Sequence, residues 1–178
     1  MGRHNIGSIT FTRFRPIGRG ARNESKFSYN RNRHKEVLEK ILSCAIESKG
    51  RIKVSVHDPL YEVVVSDYCS NNGLEPDFLR SSKVSGCRAG TFWLGVGPNG
   101  DVSPCPLLLN VGVAIGNVLD KSLKEIIDSS ELFQGLQQRR QGRSGCKNMG
   151  ICGCCLAHAY SRTQNLFTKD PMCWIQRR

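Results

Sequence analysis

The chain has 178 residues, 39% of them apolar, with 26 Lys and Arg against 15 Asp and Glu and with nine cysteines. That length supports one ordinary domain with a real core. No apolar run approaches the ~20 residues needed to cross a bilayer, and no export pattern opens the chain, so a soluble, cytoplasmic protein is expected. In a reducing cytosol, an odd number of cysteines clustered at short spacings points to metal ligation rather than a disulfide framework.

The net charge of +11 is uneven: residues 1–53 hold 13 basic and 4 acidic residues, whereas residues 54–178 hold 13 and 11. Clustered cations gain from counterion release on phosphates. Few aromatic stacking partners and no nucleic-acid-binding signature accompany them. The basic stretch is therefore read as a solvated face, with nucleic acid not expected as a partner.

In chain order, "SITFTRF" at 8–14 alternates as a strand and runs into "RPIGRGARN", where Pro16, Gly18 and Gly20 stop regular structure. Residues 32–49 place Val37, Leu38, Ile41, Leu42, Ala45 and Ile46 on one helical face, with Gly50 at the stop. Cys44, on the apolar side of that helix, is read as a small buried hydrophobe. "RIKVSV" at 51–56 reads as the next strand, which makes a strand-helix-strand unit of a parallel sheet. It ends at His57 and Asp58, read as a surface histidine beside a capping aspartate. Near residue 70 glycines, prolines and cysteines become frequent, which sets a boundary between 70 and 86. "TFWLGVGPNGDVSPC" at 91–105 predicts a hairpin turning at Asn99-Gly100, with Cys105 at its far end. Residues 120–141 predict a helix with a capping box at Ser122 and Glu125 and a break at Ser129 and Ser130. "LAHAYSR" at 156–162 predicts a short helix.

"GCKNMGICGCC" at 145–155 gathers Cys146, Cys152, Cys154 and Cys155. Soft, anionic thiolates bind iron well and offset its charge. The two-residue gap between Cys152 and Cys155, turned by Gly153, lets a short loop wrap an inorganic core. The hairpin brings Cys87 and Cys105 together. Cysteine knots with such gaps also build tetrahedral zinc sites.

Cys87, twelve residues to Gly100, four more to Cys105, then Cys146, Cys152, Cys155 and Cys173 form an ordered pattern. With "GCRAG" at 86–90, "PNGDVSPCP" at 98–106, "IGNVLDKSLKEI" at 115–126 and "DPMC" at 170–173, this pattern resembles the SPASM domain. That domain is the auxiliary-cluster portion of radical S-adenosylmethionine enzymes, here nearest those that mature peptides or modify haem precursors. The resemblance implies one or two 4Fe-4S clusters, one on Cys87, Cys105 and Cys155 and the other on Cys146, Cys152 and Cys173. Each set is one protein ligand short. Met149 stands where the family has a further cysteine, and Cys154 where it commonly has glycine. Cys154 is a candidate substitute for the second set, although its side chain and that of Cys155 diverge. Cys69 is the only upstream candidate to complete the first.

The family's Cys-x3-Cys-x2-Cys loop, which binds the cluster that cleaves S-adenosylmethionine, does not occur in this chain. The expected fold class is an α/β fragment followed by a small cysteine-rich α+β SPASM domain with a β-hairpin. Residues 1–70 are the last strands and helix of a partial TIM-like barrel, 71–85 a linker, and 86–178 the SPASM domain. "FTRFRPIGRG" at 11–20 resembles the exit of a late barrel strand, where Arg15 and Arg19 would touch S-adenosylmethionine once the missing barrel half is supplied. His158, after the knot, is placed near a cluster. The expected chain is a truncated or split enzyme, not catalytically complete alone. Its expected partners are a complementary radical-SAM barrel chain, a peptide or tetrapyrrole substrate, and an electron donor such as ferredoxin or flavodoxin. The rival from another class is a zinc-stabilised binding module whose basic amino-terminal segment contacts nucleic acid.

Overall fold

The computed structural model describes residues 6–27, 30–75, 86–143 and 145–175, so the expected linker at 71–85 lies outside it from residue 76. Strand β1 (Ser8–Thr12) pairs in parallel with β2 (Lys53–His57), Ile9 opposite Val54 and Phe11 opposite Val56. Parallel strands require a long crossover. Here it runs through a 3-10 segment (Gly18–Asn23), α1 (Glu24–Phe27) and α2 (Arg31–Glu47). The predicted strand-helix-strand unit is therefore present. Helix α2 starts where the Asn30 side chain accepts from the Arg33 N–H at 2.9 Å, a capping bond that satisfies one orphan donor.

The buried face of α2 carries His34, Leu38 and Leu42, spaced four apart. Cys44, two positions beyond Leu42, is turned away from that face and is exposed, which corrects its reading as a buried hydrophobe. Helix α3 (Tyr61–Asn72) was not expected, because its Val63-Val64-Val65 run favours strand by intrinsic preference. It is helical because Tyr61, Val63, Val64, Val65 and Cys69 are buried in one core with Leu38, Leu42 and Leu60, and this burial outweighs local propensity.

The second half holds a three-stranded antiparallel sheet of β3 (Gly95–Val96), β4 (Asp101–Ser103) and β5 (Gly116–Asn117), with β4 central. The hairpin is where it was expected, but its turn is longer. The Gly100 N–H bonds the Gly97 carbonyl at 3.0 Å, so Pro98 and Asn99 are the central turn residues. Gly100 follows at φ +87°, a conformation that glycine adopts without a Cβ penalty. Between β4 and β5 lies α4 (Pro106–Leu109), opened by Cys105 and Pro106.

The predicted helix over 120–141 is two helices, α5 (Leu123–Ser129) and α6 (Glu131–Gln138), broken at Ser130. Both halves of the Ser122–Glu125 capping box are made. A π-helical turn (Arg139–Arg143) leads to the knot, where α7 (Met149–Cys152) and α8 (Leu156–Thr163) flank Gly153 to Cys155. A second buried cluster joins Ile17 and Ala89 to Leu108, Leu136, Cys155 and Leu156. Among the described residues no helix is long and apolar enough to cross a membrane.

Candidate metal centre

Two groups of thiols form on either side of the Cys154–Cys155 peptide. Cys87 reaches the first group because its N–H bonds the Cys152 carbonyl at 2.7 Å and because Gly86 lets the backbone lie flat against the end of α7. Cys105 and Cys155 each sit at a helix N-cap, of α4 and α8 respectively. Burial pushes the Cys87 thiol up to about 11, and the nearby charges of Cys155 and Cys105 add to this, while the Ala89 and Leu156 N–H groups pull it back. Burial raises Cys105 as well, opposed by the Leu107 N–H, reinforced by Cys155 and eased by Arg15. Cys87 and Cys105 thus both sense the Cys155 charge, which disfavours their ionisation as free thiols and which bound cations reverse.

The second group surrounds a cavity of about 30 Å³ lined by Cys146, Cys152, Cys154 and Cys173, with Met149 beside them. Burial raises Cys152 well above the ordinary thiol range, and the charges of Cys154, Asp170 and Cys173 reinforce the shift. Burial and then Asp170 push Cys154 up to about 12. Cys173 is raised by burial and partly relieved by the Ile175 N–H and Lys169. The Asp170 N–H donates to Cys154 Sγ at 3.1 Å, a bond suited to holding a thiolate. Cys154 adopts φ +58°, left-handed backbone, and its side chain packs with Met149 and Ala159, whereas that of Cys155 packs with Ala89, Leu108 and Leu156.

Cys69 is buried in the core that contains Cys152 and Cys173, apart from the core of Cys155. Arg19 is exposed in the 3-10 segment. Arg15 donates from Nε to Cys155 Sγ at 3.1 Å, from Nη1 to the Arg13 carbonyl at 3.0 Å and from Nη2 to the His57 carbonyl at 2.7 Å.

Behind both groups runs a buried chain of charge that sequence reasoning did not find. Arg13 Nη2 donates to Asp170 Oδ2 at 2.6 Å, and its Nη1 stands 3.3 Å from Asp58 Oδ1. His34 Nε2 lies 2.7 Å from Asp58 Oδ2, and His158 Nδ1 lies 2.8 Å from Asp170 Oδ1. Asp58 also accepts the Leu60 N–H at 3.0 Å, which closes the turn before α3, while α3 itself has no side-chain cap; the expected capping aspartate is instead a buried ion-pair partner. Burial alone pushes the Asp58 carboxyl up, but Arg13 and His34 more than offset this and hold it below the usual range. The same contest, with Arg13 and His158 as partners, holds Asp170 lower still. His158 therefore approaches the second group through Asp170 rather than directly. For His34 a signal existed, since it continues the buried Leu38 and Leu42 spacing.

Buried thiols backed by N–H donors and guanidinium groups are the donor chemistry of iron-sulfur sites. Among the described residues no three His, Cys, Asp or Glu side chains converge closely enough to hold a single metal ion. The four thiols of the second group enclose a space rather than meeting at a point. Residues 87–156 match the family model of SPASM, an iron-sulfur cluster-binding domain. The chain carries a SPASM domain there, and the domain includes six of the seven grouped cysteines. Cys173 lies beyond the matched residues yet lines the second cavity. No solved structure matches the chain.

The SPASM segment opens at a steric gate. A Cβ on Gly86 would lie 2.2 Å from the Ile151 carbonyl oxygen and 2.3 Å from that of Cys152, at φ +73°. Gly86→Ala is expected to cost about 2–4 kcal/mol, from left-handed strain plus overpacking against backbone. Chemical denaturation of the metal-free chain checks this.

Proposed function

We propose that the chain is a two-cluster iron-sulfur protein that serves as the auxiliary portion of a radical S-adenosylmethionine enzyme. Cys87, Cys105 and Cys155 hold one 4Fe-4S cluster; Cys146, Cys152, Cys154 and Cys173 hold the other. The observation that carries the cluster reading is the split at Cys154 and Cys155, consecutive residues whose thiols face different groups inside or beside a SPASM domain. Bound clusters supply one-electron chemistry. The chain supplies thiolates, N–H donors, buried guanidinium charge and exclusion of water.

The barrel reading draws on the first half. Parallel sheets are ordinarily covered on both faces. Here the described sheet has two parallel strands and leaves Ile9 about half exposed, at 49%. Further strands, on this polypeptide or on a complementary chain, would cover it and bring the three-cysteine loop that cleaves S-adenosylmethionine. Arg15 and Arg19 would then flank the joined barrel. In that assembly the clusters pass electrons from a ferredoxin- or flavodoxin-type donor and help dock a peptide or tetrapyrrole.

Anaerobic reconstitution with ferrous iron, sulfide and an equal amount of zinc tests the cluster reading. A brown chain containing iron and acid-labile sulfide in equal amounts is expected. A colourless chain with stoichiometric zinc overturns it. For the wider role, the chain alone, given S-adenosylmethionine and dithionite, is expected to form no 5′-deoxyadenosine, and turnover by the single chain contradicts the split assignment.

A further inference from the structure

Arg15 lies three residues beyond the end of β1, and His57 closes β2; the Arg15 side chain bonds the carbonyls of His57 and of Arg13, the residue that follows β1. Two backbone carbonyls, of Arg13 and His57, clamp both terminal nitrogens and leave Nε directed at Cys155 Sγ. The guanidinium is therefore held by the sheet, not by the thiol. Its neighbour Arg13 is spent on two carboxylates, Asp58 and Asp170. Among the described residues Arg15 donates to no carboxylate, and the Cys155 charge acts on it more strongly than that of Asp58.

We propose that Arg15 sets the reduction potential of the cluster held by Cys87, Cys105 and Cys155, through its Nε–H···Sγ bond to Cys155 and its fixed positive charge. The inference rests on the cluster reading above. Reduction adds one electron, delivered by an external reductant of the dithionite class, to a group already made anionic by its thiolates. A cation and an N–H donor at a ligand sulfur stabilise that added charge and raise the potential, the more so because the site is poorly solvated. Arg15 keeps its proton throughout, and no covalent bond forms or breaks. Arg15 is a positioning residue for electrons, and its engagement inside the chain gives the first cluster a cationic neighbour that donates directly to a ligand sulfur.

The test is a redox titration of the reconstituted full chain, followed by electron paramagnetic resonance, for wild type, Arg15→Lys, Arg15→Gln and Arg15→Met. In Arg15→Met the reduced-to-oxidised ratio of one cluster, read at the wild-type midpoint, is expected to fall about tenfold, equivalent to about 59 mV for one electron. The other cluster is unchanged and serves as the internal reference. Arg15→Gln, which keeps a donor but loses the charge, moves in the same direction by less, and Arg15→Lys, which keeps the charge, recovers part of the loss. Wild-type titration of both clusters in Arg15→Met overturns the inference while leaving the cluster reading intact. If Arg15→Met assembles only one cluster, Arg15→Gln decides, and an unchanged midpoint there overturns the inference. Failure of the wild type itself to take up iron and sulfide overturns the cluster reading and this inference with it.

Discussion

Cys105→Ser and Cys173→Ser are each expected to lose about half of the iron and sulfide of the reconstituted wild type, and the double variant nearly all of it. The two positions belong to different thiol groups, so their losses add. Cys105 shares its surroundings with Cys87 and Cys155, whereas Cys173 faces the cavity with Cys146, Cys152 and Cys154. Cys154→Ala is expected to behave as Cys173→Ser does. Met149→Leu is expected to load as the wild type, because a neutral thioether neither offsets iron charge nor competes with thiolate. Cys44→Ser, at an exposed thiol that belongs to neither group, loses nothing. Iron and acid-labile sulfide analysis reads all six. Equal loading of Cys105→Ser and Cys173→Ser with wild type, or loss of all iron in either alone, contradicts two separate clusters.

Arg13→Met is expected to destabilise the metal-free chain by about 3–5 kcal/mol, the cost of breaking a buried ion pair from one side. Its side chain is wholly buried between Asp58 and Asp170, and the substitution leaves two buried carboxylates with His34, His158 and the Leu60 and Met172 N–H groups beside them but without their guanidinium. Against a total stability of about 5–15 kcal/mol, that loss is large. Arg33→Ala, whose ion pair with Glu36 is solvent-exposed, should change stability by no more than about 0.5 kcal/mol. Urea denaturation compares the two. A shift of Arg13→Met no larger than that of Arg33→Ala contradicts the tie.

The same network sets an acid limit. The folded Asp58 carboxyl lies below its unfolded value, so the stability it contributes is full above the unfolded carboxylate pKa of about 3.9 and is lost as pH falls through the folded value. Asp58→Asn should therefore flatten the acid branch of stability against pH, read as a smaller loss between neutral pH and the acid-unfolding midpoint.

Local pattern made much of the fold legible. Alternation and a helical apolar face mark the β1-α2-β2 unit, and a capping box marks the start of α5 at Leu123. Cysteine spacing marks both thiol groups, and the divergence of adjacent side chains at Cys154 and Cys155 follows from backbone geometry alone. Helix α3 escaped because its valines prefer strand in isolation, and only burial against α2 makes them helical. Strand β5 escaped because two residues carry no periodicity. The Arg13–Asp170 bond spans 157 positions and the Arg15–Cys155 bond spans 140, so neither leaves a local trace. What the sequence did carry was a hint at His34, a polar residue at a core spacing, since a buried polar side chain requires a partner.

Mössbauer spectroscopy of the anaerobically reconstituted chain, with isotopically enriched iron, tests the central claim most directly. Two cubane clusters per chain are expected, reduced to a single one in Cys173→Ser. Iron absent, or present only as isolated ferrous or ferric ions, contradicts it.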